Sequence, residues 1–183
     1  MKAYKIGVLS DTHIPDRAVA LDSSLIPALK AEKVDVIFHA GDVSVQRVLS
    51  ELDLIAPLIA VRGNRDFLIR KNIPKIRVIE KFGVTIALMH GHIDLKTYWL
   101  EKIQYLVTGY QRSRYLPRLR RAAPEALVYV FGHSHRAENF WQDGKYFFNP
   151  GSMSVGDTPE FKRSWGLLQV FEDGRVAGEI RYM

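Results

Sequence analysis

All six histidines of the chain lie within two residues of an Asp, a Gly or another His, in short clusters that follow apolar runs. Asp11-Thr12-His13 follows Lys5–Ser10, His39-Ala40-Gly41-Asp42 closes Val34–His39, and Gly63-Asn64-Arg65-Asp66 closes Leu58–Arg62. His90-Gly91-His92 follows Val84–Met89, and Gly132-His133-Ser134-His135 follows Leu127–Phe131. Carboxylate, imidazole and amide oxygen are hard-to-borderline donors that suit divalent metals. Cysteine is absent, which excludes thiolate ligation and a structural zinc knot. The donors exceed what one ion needs, so two ions are expected. A lone Gly-Asn or Asp-x-His is usually only a turn. Five such clusters in order, each after an apolar run, are not explained that way.

The elements that must position these clusters are legible in the apolar pattern. The first three runs read as buried strands. Between them, Leu25, Ile26 and Leu29 fall at helical spacing behind a cap at Asp22 or Ser23. Val45, Val48, Leu49 and Leu52 share a helical face behind a cap at Ser44. This βαβαβ order implies parallel strands, and loops at the carboxyl ends of such strands are where ligands bind. The second half reads as strands Ile76–Phe82 and Val84–Met89 hinged at Gly83, with hairpin turns at Asp143-Gly144 and Asp173-Gly174. A helix is expected around Tyr98–Ala123, interrupted near Pro117. The 183 residues suit one domain, 1–183, of α/β character with two packed sheets and helices outside.

Apolar residues make up 47% and charged residues 25%, the balance of an ordinary globular protein. No apolar run approaches the roughly 18–20 residues that span a bilayer, and the N-terminus has no signal-peptide pattern. The cytoplasm, with no membrane partner, is the resulting expectation. The net charge of +6 is concentrated in two segments, Arg62–Phe82 and Asp94–Arg121, each carrying a net +5. Such segments steer anionic substrates, nucleic acid included, although a solvated helix face carries charge in the same way. No nucleic-acid-binding motif accompanies them, and a homo-oligomer remains compatible with the sequence.

On these ordered motifs the chain resembles the calcineurin-like metallophosphoesterase superfamily, and within it the small prokaryotic phosphodiesterases. The resemblance runs from Lys5 to about Asp157 and includes Asn149-Pro150-Gly151-Ser152. It implies a four-layer αββα sandwich of two mixed β-sheets flanked by helices. It implies one metal held by Asp11, His13, Asp42 and His135, and a second held by Asp42, Asn64, His90 and His133. Asp42 would bridge them, and a hydroxide between the ions would attack the phosphoester. Mn²⁺ is the first candidate, with Ni²⁺, Mg²⁺, Fe²⁺ and Zn²⁺ as alternatives.

Other motif residues carry weaker expectations. His92 is a candidate for substrate contact, His39 for a structural role, and Asp66 for orienting Arg65 or capping a helix. Asn149 and Ser152 either line the site or belong to a loop fixed by Pro150 and Gly151. Many superfamily members carry Gly-Asn-His where this chain has Arg65. Arg stays charged and cannot act as a general acid, which favours phosphodiesters with good leaving groups. The expected function is a dimetal phosphodiesterase of small or nucleotide-like substrates, with Asp42, Asn64, Arg65 and His92 at its catalytic centre. The rivals are a catalytically weak scaffold of the same fold and a nuclease or RNA-processing phosphoesterase.

Overall fold

Residues 2–67, 69, 73–92, 109–154 and 162–183 are described by a computed structural model. Strands β1 (Ala3–Leu9), β2 (Val36–His39) and β3 (Leu58–Ala60) run parallel, joined through helices α1 (Leu25–Glu32) and α2 (Gln46–Asp53). Two C-terminal strands, β9 (Ser164–Phe171) and β10 (Val176–Tyr182), extend this sheet antiparallel in the order β10-β9-β1-β2-β3.

The second sheet has the order β4-β5-β6-β8-β7. In it β5 (Val84–Met89), β6 (Val128–Val130) and β8 (Lys145–Pro150) are parallel. The edges β4 (Ile76–Lys81) and β7 (Ala137–Gln142) are antiparallel. Both sheets are therefore mixed. Before β6 comes helix α3 (Arg112–Ala122).

Strand alternation divides the apolar side chains among three layers. Ile6, Val8, Val36, Phe38, Ile86, Leu88, Val130, Phe148 and Leu168 fill the space between the sheets. Their neighbours Leu9 and Ile37 face outward under Leu25, Leu29, Val48 and Leu52 of α1 and α2. On the far side Ala87, Tyr129, Phe131 and Phe147 meet Leu116 and Leu119 of α3. Each fully buried large side chain contributes about 1.5–3 kcal/mol. The result is the α/β sandwich with helices on both outer faces that the sequence implies.

Two local expectations are corrected. Neither Asp22, Ser23 nor Ser44 caps a helix: α1 is preceded by Ser24 and α2 by Val45, neither with a side-chain cap bond. Asp22 instead accepts the Ser24 N–H and hydroxyl, a local turn that competes with capping. Helix α3 runs through Pro117 without stopping, because Leu116 and Leu119 are buried on either side of it. Residues 98–108 of the expected helix, with the rest of 93–108, lie outside the described residues. At Asp143-Gly144 both residues have positive φ, whereas at Asp173-Gly174 only Gly174 does. None of the described helices is long and apolar enough to cross a membrane.

Candidate metal centre

The five motif loops meet at the carboxyl ends of β1, β2, β3, β5 and β6. Their backbone is unusual: Asp11, His13, Asp42, His133 and His135 have φ of 53°, 47°, 56°, 70° and 56°. The left-handed region is sparsely used by residues with a Cβ, at a cost of order 1–3 kcal/mol each. Hydrogen bonds between loops hold it. The Asp11 N–H donates to Gly41 O at 3.0 Å, and the His13 N–H to Asp42 O at 3.1 Å. The Met153 and Ser154 N–H groups donate to Ser10 O and Asp11 O at 3.1 and 3.2 Å. Two glycines are required by close approach: a Cβ on Gly63 would overlap the Asp42 carboxylate, and one on Gly132 would overlap Ser10 Oγ.

The donor atoms fall into two groups. In the first, His13 Nε2 lies 3.2 Å from His135 Nε2, 3.6 Å from Asp11 Oδ1 and 3.8 Å from Asp42 Oδ2. In the second, His90 Nε2 lies 3.1 Å from Asn64 Oδ1, 3.3 Å from His133 Nδ1 and 3.5 Å from Asp42 Oδ1. Asp42 thus turns one oxygen to each group. Asp11 also spans both, with Oδ1 3.2 Å from His135 Nε2 and 4.0 Å from His90 Nε2. Asp11, His13 and His135, and again Asp11, Asp42 and His90, are close enough for each trio to hold one ion.

The environment suits cations. Asp11 Oδ1 and His13 Nδ1 are buried with no hydrogen bond of good geometry. An orphaned buried carboxylate oxygen is costly unless it meets positive charge. His90 Nδ1 is 2.7 Å from Ala40 O, so its proton is donated there and Nε2 is turned toward the second group. A carbonyl fixing the far nitrogen is the usual orientation device of metal-ligating histidines. Burial disfavours a charged His90 ring, but the Asp42 and Asp11 carboxylates outweigh it and raise its pKa to about 10. Burial likewise opposes ionisation of Asp42, but the His90 ring lowers it to about 2. Asp11 is held well below the ordinary carboxylate range, burial being outweighed by the His135, His13 and His90 rings.

The remaining motif residues are sorted by their contacts. His39 is fully buried, and burial lowers its pKa to about 4. Its Nδ1 accepts the Gly41 N–H at 3.2 Å, leaving Nε2 to donate toward Thr12 Oγ1 at 3.4 Å, a structural arrangement. His92 stands beside the donor set, its ring 5.2 Å from His90 and 6.1 Å from His133. Arg65 donates its N–H to Asp42 Oδ1 at 2.8 Å and turns its guanidinium to Asp16, 3.8 Å away.

Asp66 neither orients Arg65 nor caps a helix. Its carboxylate accepts the N–H groups of Gly63, Ser44 and Asp42 at 2.6, 2.8 and 3.0 Å. It therefore ties the Asp42 loop to the Asn64 loop. Asn149 and Ser152 hold loops too. The Asn149 amide donates to Gly132 O and Ser134 Oγ, both at 3.0 Å, and Ser152 Oγ donates to Asp11 O at 3.0 Å. Sequence reasoning passed over Ser10, whose hydroxyl donates to Asp11 Oδ2 at 2.5 Å. Its position directly before the first Asp was the available signal.

Comparison with known proteins decides what kind of chain carries this arrangement. Residues 4–171 match the model of the calcineurin-like phosphoesterase superfamily domain. The chain belongs to that superfamily. A probable metallophosphoesterase of Methanothermobacter thermautotrophicus is 33% identical over 150 residues, 82% of this chain and 77% of that protein. Among solved structures, Vps29 of Cryptosporidium parvum is similar with a TM-score of 0.74 at 22% identity, covering 99% of this chain and 98% of its own. Wild-type Vps29 of Entamoeba histolytica complexed with Zn²⁺ gives a TM-score of 0.73 at 23% identity, covering 97% and 98%. These structural likenesses establish the calcineurin-like fold.

Proposed function

We propose that this calcineurin-like phosphoesterase is a dimetal phosphodiesterase of small or nucleotide-like substrates, acting as one domain in the cytoplasm. The observation that supports it most is the division of the Asp42 carboxylate, Oδ1 3.5 Å from His90 and Oδ2 3.8 Å from His13. Asp11, His13, Asp42 and His135 would hold one ion, and Asp42, Asn64, His90 and His133 the other, with Mn²⁺ the first candidate. Divalent ions bound there supply charge neutralisation of the phosphoryl oxygens and a water of lowered pKa. The chain's own residues do the rest. His13, His90 and His135 turn their Nε2 atoms into the donor set, and Asp66 keeps the loops in register.

Arg65 serves as an anion contact at the rim: released from Asp16, its guanidinium offers charge-assisted hydrogen bonds to a non-bridging phosphate oxygen. It has no transferable proton at working pH. His92, whose pKa burial and the adjacent His90 and His133 lower to about 3, is neutral and serves as a hydrogen-bonding group toward substrate.

The test is metal analysis of protein purified without chelator, together with a panel of aryl phosphodiesters and monoesters. Two ions per chain and metal-dependent diester turnover support the reading. Full turnover after exhaustive metal removal contradicts it. The likeness to Vps29 favours one second reading, a protein-interaction scaffold of the same fold. Absence of turnover at full metal occupancy would favour that scaffold.

A further inference from the structure

Outside the donor set, two tyrosine rings stand at the rim of the centre. Tyr115, on α3, has its ring centroid 6.4 Å from that of His133. Tyr110, just before α3, lies 5.4 Å from Tyr115 with the ring planes tilted by 31°. Both are half-buried. They stand apart from the apolar cluster that Leu116, Leu119 and Ala123 make with the second sheet.

One of these rings is anchored at a cost. Glu138 is 6% exposed, and its carboxylate accepts the Tyr110 hydroxyl at 2.7 Å and Arg112 Nε at 2.8 Å. A buried carboxylate is tolerated only when it is paired and hydrogen-bonded. Here that pairing fixes the Tyr110 ring at one end of the rim. The guanidinium of Arg136 lies 5.2 Å over the same ring, bringing positive charge to this side of the centre.

Fixed aromatic faces beside a phosphate-binding centre are what single nucleotides stack upon, because every base has a π-face and stacking tolerates sequence. Tyr115 stands one ring-to-ring contact from His133 of the donor set, on the side where Arg136 brings positive charge. We propose that Tyr115 and Tyr110 form a stacking subsite for the nucleobase of a phosphoester whose phosphate sits at the donor set. The subsite rests on the phosphoesterase reading of that set and narrows its substrate class to nucleoside phosphoesters.

The test compares two ligands that differ only in the base: adenosine 5′-monophosphate and the methyl riboside 5-phosphate. Their dissociation constants are measured by calorimetry on the Mn²⁺-loaded full chain, and an aryl diester is assayed on the same preparation. Stacking of ordinary strength predicts about tenfold tighter binding of the nucleotide by the parent. In Tyr115→Leu the preference falls to about twofold or less while the riboside phosphate binds as before, and Tyr115→Phe retains it. If Tyr115→Leu does not fold, Tyr110→Leu combined with Glu138→Gln, which removes the other ring without leaving a buried charge short of a donor, carries the same expectation. Equal affinities in the parent, or an undiminished preference in the folded leucine variant, overturn the subsite. Diester turnover with equal affinities removes the subsite and leaves the phosphodiesterase. Base preference without turnover does the reverse.

Discussion

Asp42 offers an oxygen to each half of the donor set, so its charge acts twice. Asp42→Asn keeps the shape and removes that charge, and should lower the metal content of purified protein toward one ion per chain. Diester turnover should fall by at least about 10²-fold, the scale on which misplaced catalytic groups are felt. Two retained ions with near-parental turnover would take Asp42 out of the bridge. At Asp66, replacement by Ala leaves three backbone N–H groups without their acceptor. Each unsatisfied buried group costs about 1–3 kcal/mol. Asp66→Ala should therefore lower the denaturant midpoint clearly and weaken metal binding, whereas Asn restores part of both. At Arg65 the side chain supplies charge without a proton, and positioned general acids are worth about 10²- to 10⁴-fold. Turnover of esters of graded leaving-group pKa should fall steeply as the leaving group becomes more basic. A flat series in the parent would reveal a proton donor elsewhere, with His92 the first to test.

At the scale of the elements, what could be read in advance and what could not divide on physical grounds. The strands were legible because both of their faces are covered, which makes them near-continuous apolar runs: Val36 and Phe38 face one layer, and Ile37 the other. The motif order was legible because each cluster ends such a run. The helix starts were not, since Asp22 and Ser44 have capping chemistry but are used in a turn and in a left-handed loop. Asp66 was read as local, yet its partners include Asp42 and Ser44, a contact between loops that spacing does not encode. The glycines were read as turn formers. At Gly63 and Gly132 the stronger reason is the lack of room for a Cβ. Gly63→Ala should accordingly push the Asp42 carboxylate aside, costing metal binding and turnover while circular dichroism shows the sandwich intact. Parental metal content in that variant would show that the loop yields without disturbing the donors.

The whole molecule feels the charge of its centre. In the metal-free protein, His90 has a raised pKa of about 10, against about 6.5 for an unperturbed His. Its protonation thus stabilises the fold fully below pH ~6.5, and that contribution is lost as pH rises through about 10. Asp42, lowered to about 2, contributes above its unfolded value near 4 and loses that contribution as pH falls through about 2. Metal-free protein should therefore lose thermal stability from near neutrality toward pH 10. An ion at His90 Nε2 replaces that proton, so metal-loaded protein should resist the alkaline loss and proton release should accompany loading. Ligand saturation at about 100 times Kd adds about 2.7 kcal/mol. Melting curves across pH, with and without Mn²⁺, check this, and parallel alkaline slopes in the two forms would contradict it.

The left-handed backbone of the donor residues has a consequence for how this protein can be altered. A conformation natural to glycine is imposed on an imidazole at His135, whose side chain is only partly buried. His135→Gly relaxes that backbone, worth about 1–3 kcal/mol, but takes from Asp11 the ring that favours its ionised form. Where the backbone gain prevails, the metal-free variant melts higher than its parent while retaining fewer ions. Activity and robustness would then trade against each other at a single position. Selecting this protein for heat resistance alone, without requiring turnover, should enrich glycine and asparagine at positions 11, 13, 42, 133 and 135. A selected library showing no such enrichment would mean that the loops hold their shape without strain.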